Sequence, residues 1–343
     1  MKFMIAGLGS VGRRHLRNLR ELGEEDILLF RTHLASLPDE ELSGLPEETD
    51  LFRALEHHPD AVIIANPTAF HLDVAIPAVQ AGCHIFLEKP VSASLDRLDE
   101  LTAEAAHSGS RIQVGFQFRF HPTLRTAAEL IWAGAIGRIL TAHAHWGEYL
   151  PNWHPWEDYR QAYAARADLG GGVILTLTHP LDYLRWLVGE PESLWSFKDH
   201  ISPLEMDVED VAEIGLRFAG GAIGGVHLNY IQRPPVHRLE IVGTGGTLRW
   251  DNADGILHLQ RMPAPFGTWS ADPPPPLEEQ FAPPPLFERN DLFLEQMRSF
   301  LAVVRGETVP ACTLEDGVCA LQMALGASHS AATGKIYTMK GTQ

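Results

Sequence analysis

Positive charge, cysteine and long apolar runs are all in short supply in this chain, and each shortage closes off a class of function. Its 343 residues carry 27 lysines and arginines against 44 aspartates and glutamates, a formal charge of −17. Sequence-independent nucleic-acid binding needs a basic footprint, so that class is excluded. A phosphate-bearing ligand is not, because local amides and arginines override the global field. The three cysteines, Cys83, Cys312 and Cys319, form no metal-spaced pair and no even disulfide set. No metal site is expected, and a reducing compartment suits the chain. No apolar run approaches the roughly 20 residues that span a bilayer. The opening residues Met1 to Ala6 lack the basic and apolar regions of a signal peptide. The expectation is a cytoplasmic protein with neither membrane nor nucleic-acid partner.

What is present divides the chain in two. The first third alternates short apolar runs with helical spacing: strands at 2–6, 26–30, 61–65, 85–87 and 112–116, helices at 11–22, 72–81 and 95–106. Such alternation implies a parallel sheet with right-handed crossovers. Helices at 124–133 and 180–188 follow. Strands then come with little helix between them, at 211–218, 222–230, 237–243, 247–251 and 256–261. That pattern predicts a largely antiparallel sheet. The fold class is α/β: a Rossmann dinucleotide-binding domain over 1–120 and an α/β domain with a large open sheet over 121–343. The closing helices, 290–305 and 314–332, are expected to pack back near the first domain. Proline-rich 263–285 reads as an extended surface loop with no fold of its own.

Gly7, Gly9 and Gly12 match the spacing G-x-G-x-x-G between a predicted strand and a predicted helix, with Ser10 and Val11 inside the motif. The first glycine allows a tight turn, the second lets backbone approach a diphosphate, and the third permits close helix packing. The next strand ends in Phe30-Arg31-Thr32 and carries no carboxylate. An NAD site ordinarily places an acid there, whereas the Arg31 fork and the Thr32 hydroxyl suit a 2′-phosphate. The cofactor is therefore read as NADP or NAD, with a lean towards NADP.

Glu88-Lys89-Pro90 follows a buried strand of the same sheet. Proline after lysine at a strand end favours a cis bond or sharp turn that fixes the direction of the lysine. A partly desolvated lysine beside a nicotinamide is expected to titrate low and to exchange a proton with a substrate hydroxyl. Later, Gly170-Gly171-Gly172 precedes an apolar helical stretch carrying His179, with Asp182 one turn on. Between 148 and 163 lie aromatic and hydrogen-bonding groups suited to a polar pocket: Trp153, His154, Arg160 and Tyr163, with Arg119 upstream. His143 and His145 share a strand face but are too few for a metal.

Taken in order, the glycine motif, Asn66-Pro67 with His71, Glu88-Lys89-Pro90, the run Gly115 to Phe120, and Gly170 to Gly172 with His179 and Asp182 resemble the glucose–fructose oxidoreductase and inositol dehydrogenase family, Gfo/Idh/MocA. The resemblance covers nearly the whole chain. It implies hydride transfer between NAD or NADP and a carbinol or ketone carbon of a sugar, cyclitol or derivative. It implies Lys89 and His179 at the substrate; Asp182, one helical turn from His179, is read from its spacing as a third catalytic candidate that would orient the histidine, the alternatives being that His179 works with Lys89 alone or that this branch has changed its chemistry. It implies cofactor contacts from Gly7, Gly9, Ser10, Val11, Gly12, Asn66, Pro67, His71, Glu88, Lys89 and Gln117. It further implies a homodimer or homotetramer through the C-terminal sheet. One position departs: many members carry aspartate shortly before the histidine, where this chain has Thr176. Two other readings remain at this point, a glycosidase that uses the cofactor transiently and a non-catalytic cofactor-binding sensor.

Overall fold

The computed structural model describes residues 1–33 and 37–339. Two sheets form among these residues, one of six strands and one of nine. The first alternates with helices: β1 (Phe3–Ala6), α1 (Ser10–Glu21), β2 (Ile27–Phe30), β3 (Glu47–Glu48), α2 (Leu51–Glu56), β4 (Ala61–Ile64), α3 (His71–Gln80), β5 (His84–Leu87), α4 (Leu98–Ser108) and β6 (Ile112–Val114). Its order is β3-β2-β1-β4-β5-β6, with every pairing parallel. The strands β1 and β4 are buried at every position. Such unbroken apolar strands belong to a parallel sheet covered on both faces. The order reverses between β1 and β4, and a doubly wound sheet binds its ligand at the carboxyl ends of strands beside that switch.

The second sheet follows α5 (Pro122–Trp132) and takes in β7 (Ile139–Tyr149), then, after α6 (Val173–Thr176) and α7 (His179–Val188), β8 (Pro191–Asp199), β9 (Val211–Phe218), β10 (Ile223–Asn229), β11 (Ile231–Gly243), β12 (Gly246–Asp251), β13 (Leu257–Arg261) and β14 (Leu277–Phe281). Two helices come next, α8 (Arg289–Val304) and α9 (Leu314–Thr333), then β15 (Tyr337–Thr338). The order is β14-β13-β12-β11-β7-β10-β9-β8-β15, antiparallel except for β10 beside β7. The register of β11 slips between Ile231 and Val236, across Pro234 and Pro235, which have no N–H to give the ladder.

One face of this sheet is apolar and closed. Ala144, Ile214, Leu216, Val226, Leu239, Ile241 and Trp250 join Leu181 and Leu184 of α7 in a single core. The other face is open. There Trp195 and Phe197 stack edge to face at 5.3 Å, and charged groups and histidines fill the neighbouring strands. The Trp195 indole lies over Gly215, where a Cβ would sit 2.2 Å from the ring nitrogen.

The chain forms two compact units. The first holds 1–117, 166–171 and 288–321, so α8 belongs with the parallel sheet. Met297 and Phe300 of α8 share a core with Leu16 of α1 and Phe86 of β5. The second holds 118–165, 172–287 and 322–343.

Two expectations are corrected. The stretch 263–285 is not all loop: Leu277–Phe281 forms β14, antiparallel to β13. Its five residues lie between the prolines and are free to pair along an edge. The helical stretch after the glycine run is also not continuous. It stops at Thr176, and a new helix opens at His179. Pro180 lacks the N–H that a continuous helix would direct at Thr176.

Candidate functional site

The first unit carries a cradle built from backbone. Gly7 sits at φ +91°, and a Cβ there would lie 2.4 Å from the Asn66 nitrogen. A Cβ on Gly12 would lie 1.9 Å from the Gly7 oxygen. Both positions therefore need glycine for the fold itself. Gly9 differs: a Cβ there would meet no protein atom within 4 Å. Gly9 is also the N-cap of α1, with no side-chain cap and no acidic residue in the first turn. Space is thus open beside the start of a twelve-residue helix, where the amides carry the positive end of its dipole. These residues fit the diphosphate of a dinucleotide.

Glu88, Lys89 and Pro90 leave the carboxyl end of β5, and the Lys89–Pro90 bond is cis. Two braces hold this turn. Glu88 Oε1 lies 2.8 Å from His15 Nε2 of α1, and Glu88 Oε2 accepts the Lys89 N–H at 3.2 Å. Burial pushes the Glu88 carboxyl up, but the His15 hydrogen bond and the charges of His15 and Lys89 outweigh it and hold the group below the usual range. The second brace is His71, whose Nδ1 is 2.9 Å from the Pro90 carbonyl and whose Nε2 is 3.0 Å from that of Asn66. Burial draws its pKa below the ordinary value, partly offset by those carbonyls and Glu88. His71 is 1 % exposed, so it links the β4 end to the lysine turn as a strut. Asn66 spends its amide on the Phe70 carbonyl at 3.1 Å, leaving its buried Oδ1 without a hydrogen-bond partner among the described residues. Lys89 is half-buried, and Gln117 is buried just beyond β6.

At the end of β2 the Arg31 guanidinium is already engaged. Its Nη2 donates to both oxygens of Asp39, at 2.9 and 2.8 Å, and Nη1 is 3.9 Å from Glu47. Thr32 is exposed. Arg13, buried on α1, reaches the same loop: Nε donates to the Leu8 carbonyl at 2.9 Å, Nη1 to that of Pro38, and Nη2 to that of Leu37 at 3.1 Å.

In the second unit His179 opens α7, 2 % exposed, inside an aromatic cage. Phe118 meets it edge on at 5.0 Å, and Trp146 of β7 stacks on it at 5.3 Å. Trp146 also stacks on His237 at 4.2 Å with the rings nearly parallel, and its indole N–H donates to Glu148 at 2.8 Å. Tyr183, one turn after His179, reaches His237 Nε2 with its hydroxyl at 3.2 Å. Asp182 lies in the first turn of α7. It takes a two-pronged grip from Arg119, with Nε at 3.1 Å from both oxygens and Nη2 at 2.6 Å from Oδ1. The two side chains are 2 % and 7 % exposed, which makes the pair a buried clamp between the segment before α5 and α7. Thr176 is buried beside the Tyr230 hydroxyl.

The remaining pocket candidates divide. Trp153 packs edge on against Tyr230 at 5.5 Å, and His154 lies against Trp156 at 5.1 Å, both half-buried, as is Tyr163. Arg160 is exposed and held by Asp158 at 2.8 Å and Glu205 at 3.0 Å, which keeps its guanidinium firmly charged. His143 and His145 lie on the open sheet face, and no group of three or more metal-binding side chains forms among the described residues. Sequence reading missed His15, Asp39, Trp146 and His237. For His15 a signal existed, since it stands three residues after Gly12 and so one helical turn further along α1.

The doubly wound sheet and its glycine cradle define an oxidoreductase with an NAD-binding Rossmann fold, and residues 1–116 match the family described in those words. Residues 124–249 match the GFO/IDH/MocA C-terminal domain. The chain belongs to the Gfo/Idh/MocA family of dehydrogenases and reductases. It is 28% identical over 279 residues to a 1,5-anhydro-D-fructose reductase of Ensifer adhaerens, covering 80% of this chain and 78% of that one. It is 25% identical over 349 residues to a myo-inositol 2-dehydrogenase of Thermotoga maritima, covering 96% of each. The solved structure of a levoglucosan dehydrogenase in complex with NADH and levoglucosan has the same fold, with a TM-score of 0.85 at 21% identity over 99% of this chain and 100% of that one.

Proposed function

We propose that this oxidoreductase acts at a carbinol or ketone carbon of a sugar, cyclitol or sugar derivative, with Lys89 as its principal acid and base. A nicotinamide dinucleotide, when bound, supplies the exchange of hydride. The chain's own residues do the rest. The Gly7–Gly12 turn and the first turn of α1 bind the diphosphate. Glu88, gripped by His15, and His71, wedged between two carbonyls, hold the turn so that the Lys89 ammonium has a fixed origin. Lys89 then gives a proton to, or takes one from, the substrate oxygen at the reacting carbon. His179 assists, its ring oriented by Phe118 and Trp146. Asp182 acts through Arg119, by fixing where α7 begins, and Trp153, His154, Arg160 and Tyr163 are the substrate side.

The observation that carries this reading is the double bracing of the Lys89 turn at the carboxyl edge of the sheet whose first loop is the diphosphate cradle. The names of the relatives, which act on an anhydro sugar and on an inositol, support the substrate class. The buried cysteines suit a reducing cytoplasm. The open face of the second sheet, with Trp195 and Phe197 exposed, supports a homodimer or homotetramer.

The test is a spectrophotometric screen of sugars, inositols and sugar acids with both NAD and NADP. Turnover of at least one polyol or ketose is expected. Tight dinucleotide binding with no turnover across the panel would overturn the reading, and glycoside cleavage without net cofactor reduction would replace it with the glycosidase chemistry. In the same assay Lys89→Met is expected to leave dinucleotide affinity nearly intact and to lower turnover by about 10²–10⁴-fold.

A further inference from the structure

We infer that Asp39 sets the choice between the two nicotinamide dinucleotides, and that it sets it towards NAD. The inference rests on the proposed use of the glycine cradle and concerns its adenosine end.

The end of β2 is where a Rossmann sheet meets the adenosine ribose. In sequence this position offers Arg31, whose planar fork matches a 2′-phosphate. In the folded chain the fork has a carboxylate in it. Both oxygens of Asp39 lie within 2.9 Å of Arg31 Nη2, and Arg31 is only 7 % exposed, so the guanidinium has little freedom to turn elsewhere. Asp39 also lies 3.3 Å from Arg13 Nη2.

The loop bearing Asp39 is fastened where the ribose belongs. Arg13 is 4 % exposed and ties the Leu8 carbonyl, inside the glycine motif, to the carbonyls of Leu37 and Pro38. Asp39 thus reaches the β2 end through a guanidinium that also grips the diphosphate turn. The acid that many sheets place at the strand end arrives here from a loop eight residues later.

The surrounding charge supports the same choice. Arg13, Arg31 and Arg17 are met by Asp39, Glu41 and Glu47, with Arg17 2.8 Å from Glu41, Arg13 3.9 Å from Glu41 and Arg31 3.9 Å from Glu47. His33 lies 3.4 Å from Glu47. Three cations and three anions leave no net positive field for a dianionic 2′-phosphate, which would also have to displace Asp39. A ribose 2′-hydroxyl asks for neither: it donates to a carboxylate such as Asp39, whose side chain is 55% exposed. Arg31 Nε, buried and without a hydrogen-bond partner among the described residues, remains as a donor on the same group.

Titration calorimetry of NAD and NADP against the wild-type chain, Asp39→Asn, Asp39→Ser and the double variant Asp39→Asn/Arg31→Met tests this by affinity alone. The wild-type chain is expected to bind NAD at least about tenfold more tightly than NADP. Either single variant frees the fork, and the ratio is expected to shift towards NADP by about tenfold or more, mainly through tighter NADP binding. Adding Arg31→Met is expected to abolish that gain. Raised salt should shrink the shift, since it is a charge effect near the surface. Wild-type affinity for NADP equal to or above that for NAD overturns the inference, as does a ratio that neither single variant moves by more than about twofold. In both cases the dinucleotides still bind, so the functional reading survives. Binding of neither dinucleotide to the wild-type chain overturns both.

Discussion

Gly7, Gly9 and Gly12 stand in one motif but answer to different demands. Replacing Gly7 or Gly12 drives a methyl group into backbone, so either change damages the fold before it reaches the ligand. Gly9 has extended backbone at φ −71° and open surroundings. Gly9→Ala is therefore expected to leave the melting temperature within about one degree, since a surface substitution away from special backbone costs under ~0.5 kcal/mol. The same variant should lose dinucleotide affinity by about tenfold or more, because the methyl group occupies the space a diphosphate needs. Calorimetry beside a thermal melt checks the pair of outcomes, and a drop in stability without loss of affinity would show that Gly9 serves the fold. The glycines and Glu88-Lys89-Pro90 were readable in sequence because their chemistry is local. His15 and Asp39 act through partners 73 and 8 residues away, and no spacing rule joins them to those partners.

Among elements, the long amphipathic or fully apolar ones were legible: α1, β4, α3, β9, α8 and α9 match expectation to within a few residues. The strand β8 escaped notice because its alternation puts Trp195 and Phe197 on the open face, where polar residues are expected. α2 and β3 are six and two residues long, too short to show a period, so they owe their form to the sheet beside them. The segment leading into α5 carries a titratable group with a measurable signature. His121 is 2 % exposed, set among Trp250 at 5.2 Å and Phe287 at 5.3 Å, and burial lowers its pKa from 6.5 to about 4. The unfolded imidazole takes its proton near 6.5, the folded one only near 4. Between those values the unfolded chain binds more protons, so stability is fully present above the window and falls as pH drops through it, by about 3 kcal/mol in all. His121→Gln is expected to flatten that slope in denaturant titrations between pH 6.5 and 4.5. An unchanged slope would assign the acid sensitivity to other groups.

At the scale of the whole molecule, the open face of the nine-stranded sheet is the surface on which the proposed association is tested. Across it run opposed pairs such as His227 with Glu213, Arg238 with Asp251 and Arg249 with Glu240, while Trp195, Phe197 and Ile223 stay exposed at one end. An exposed aromatic cluster bordered by paired charges has the make-up of an interface centre with a polar rim. Phe197→Asp is expected to weaken self-association by about tenfold or more, read as a shift of the sedimentation distribution towards the monomer. An unaltered distribution would remove this face as a site of self-association. The parallel sheet of the first unit is untouched by this change, and dinucleotide affinity should stay the same.

The seat of Trp195 over Gly215 has an optical consequence. An indole held in place yet 46% in contact with solvent emits at long wavelength, and burial of that ring would move its emission to the blue. Dilution followed by fluorescence, with Trp195→Phe as the blank for the other seven tryptophans, would then report subunit separation without any added label.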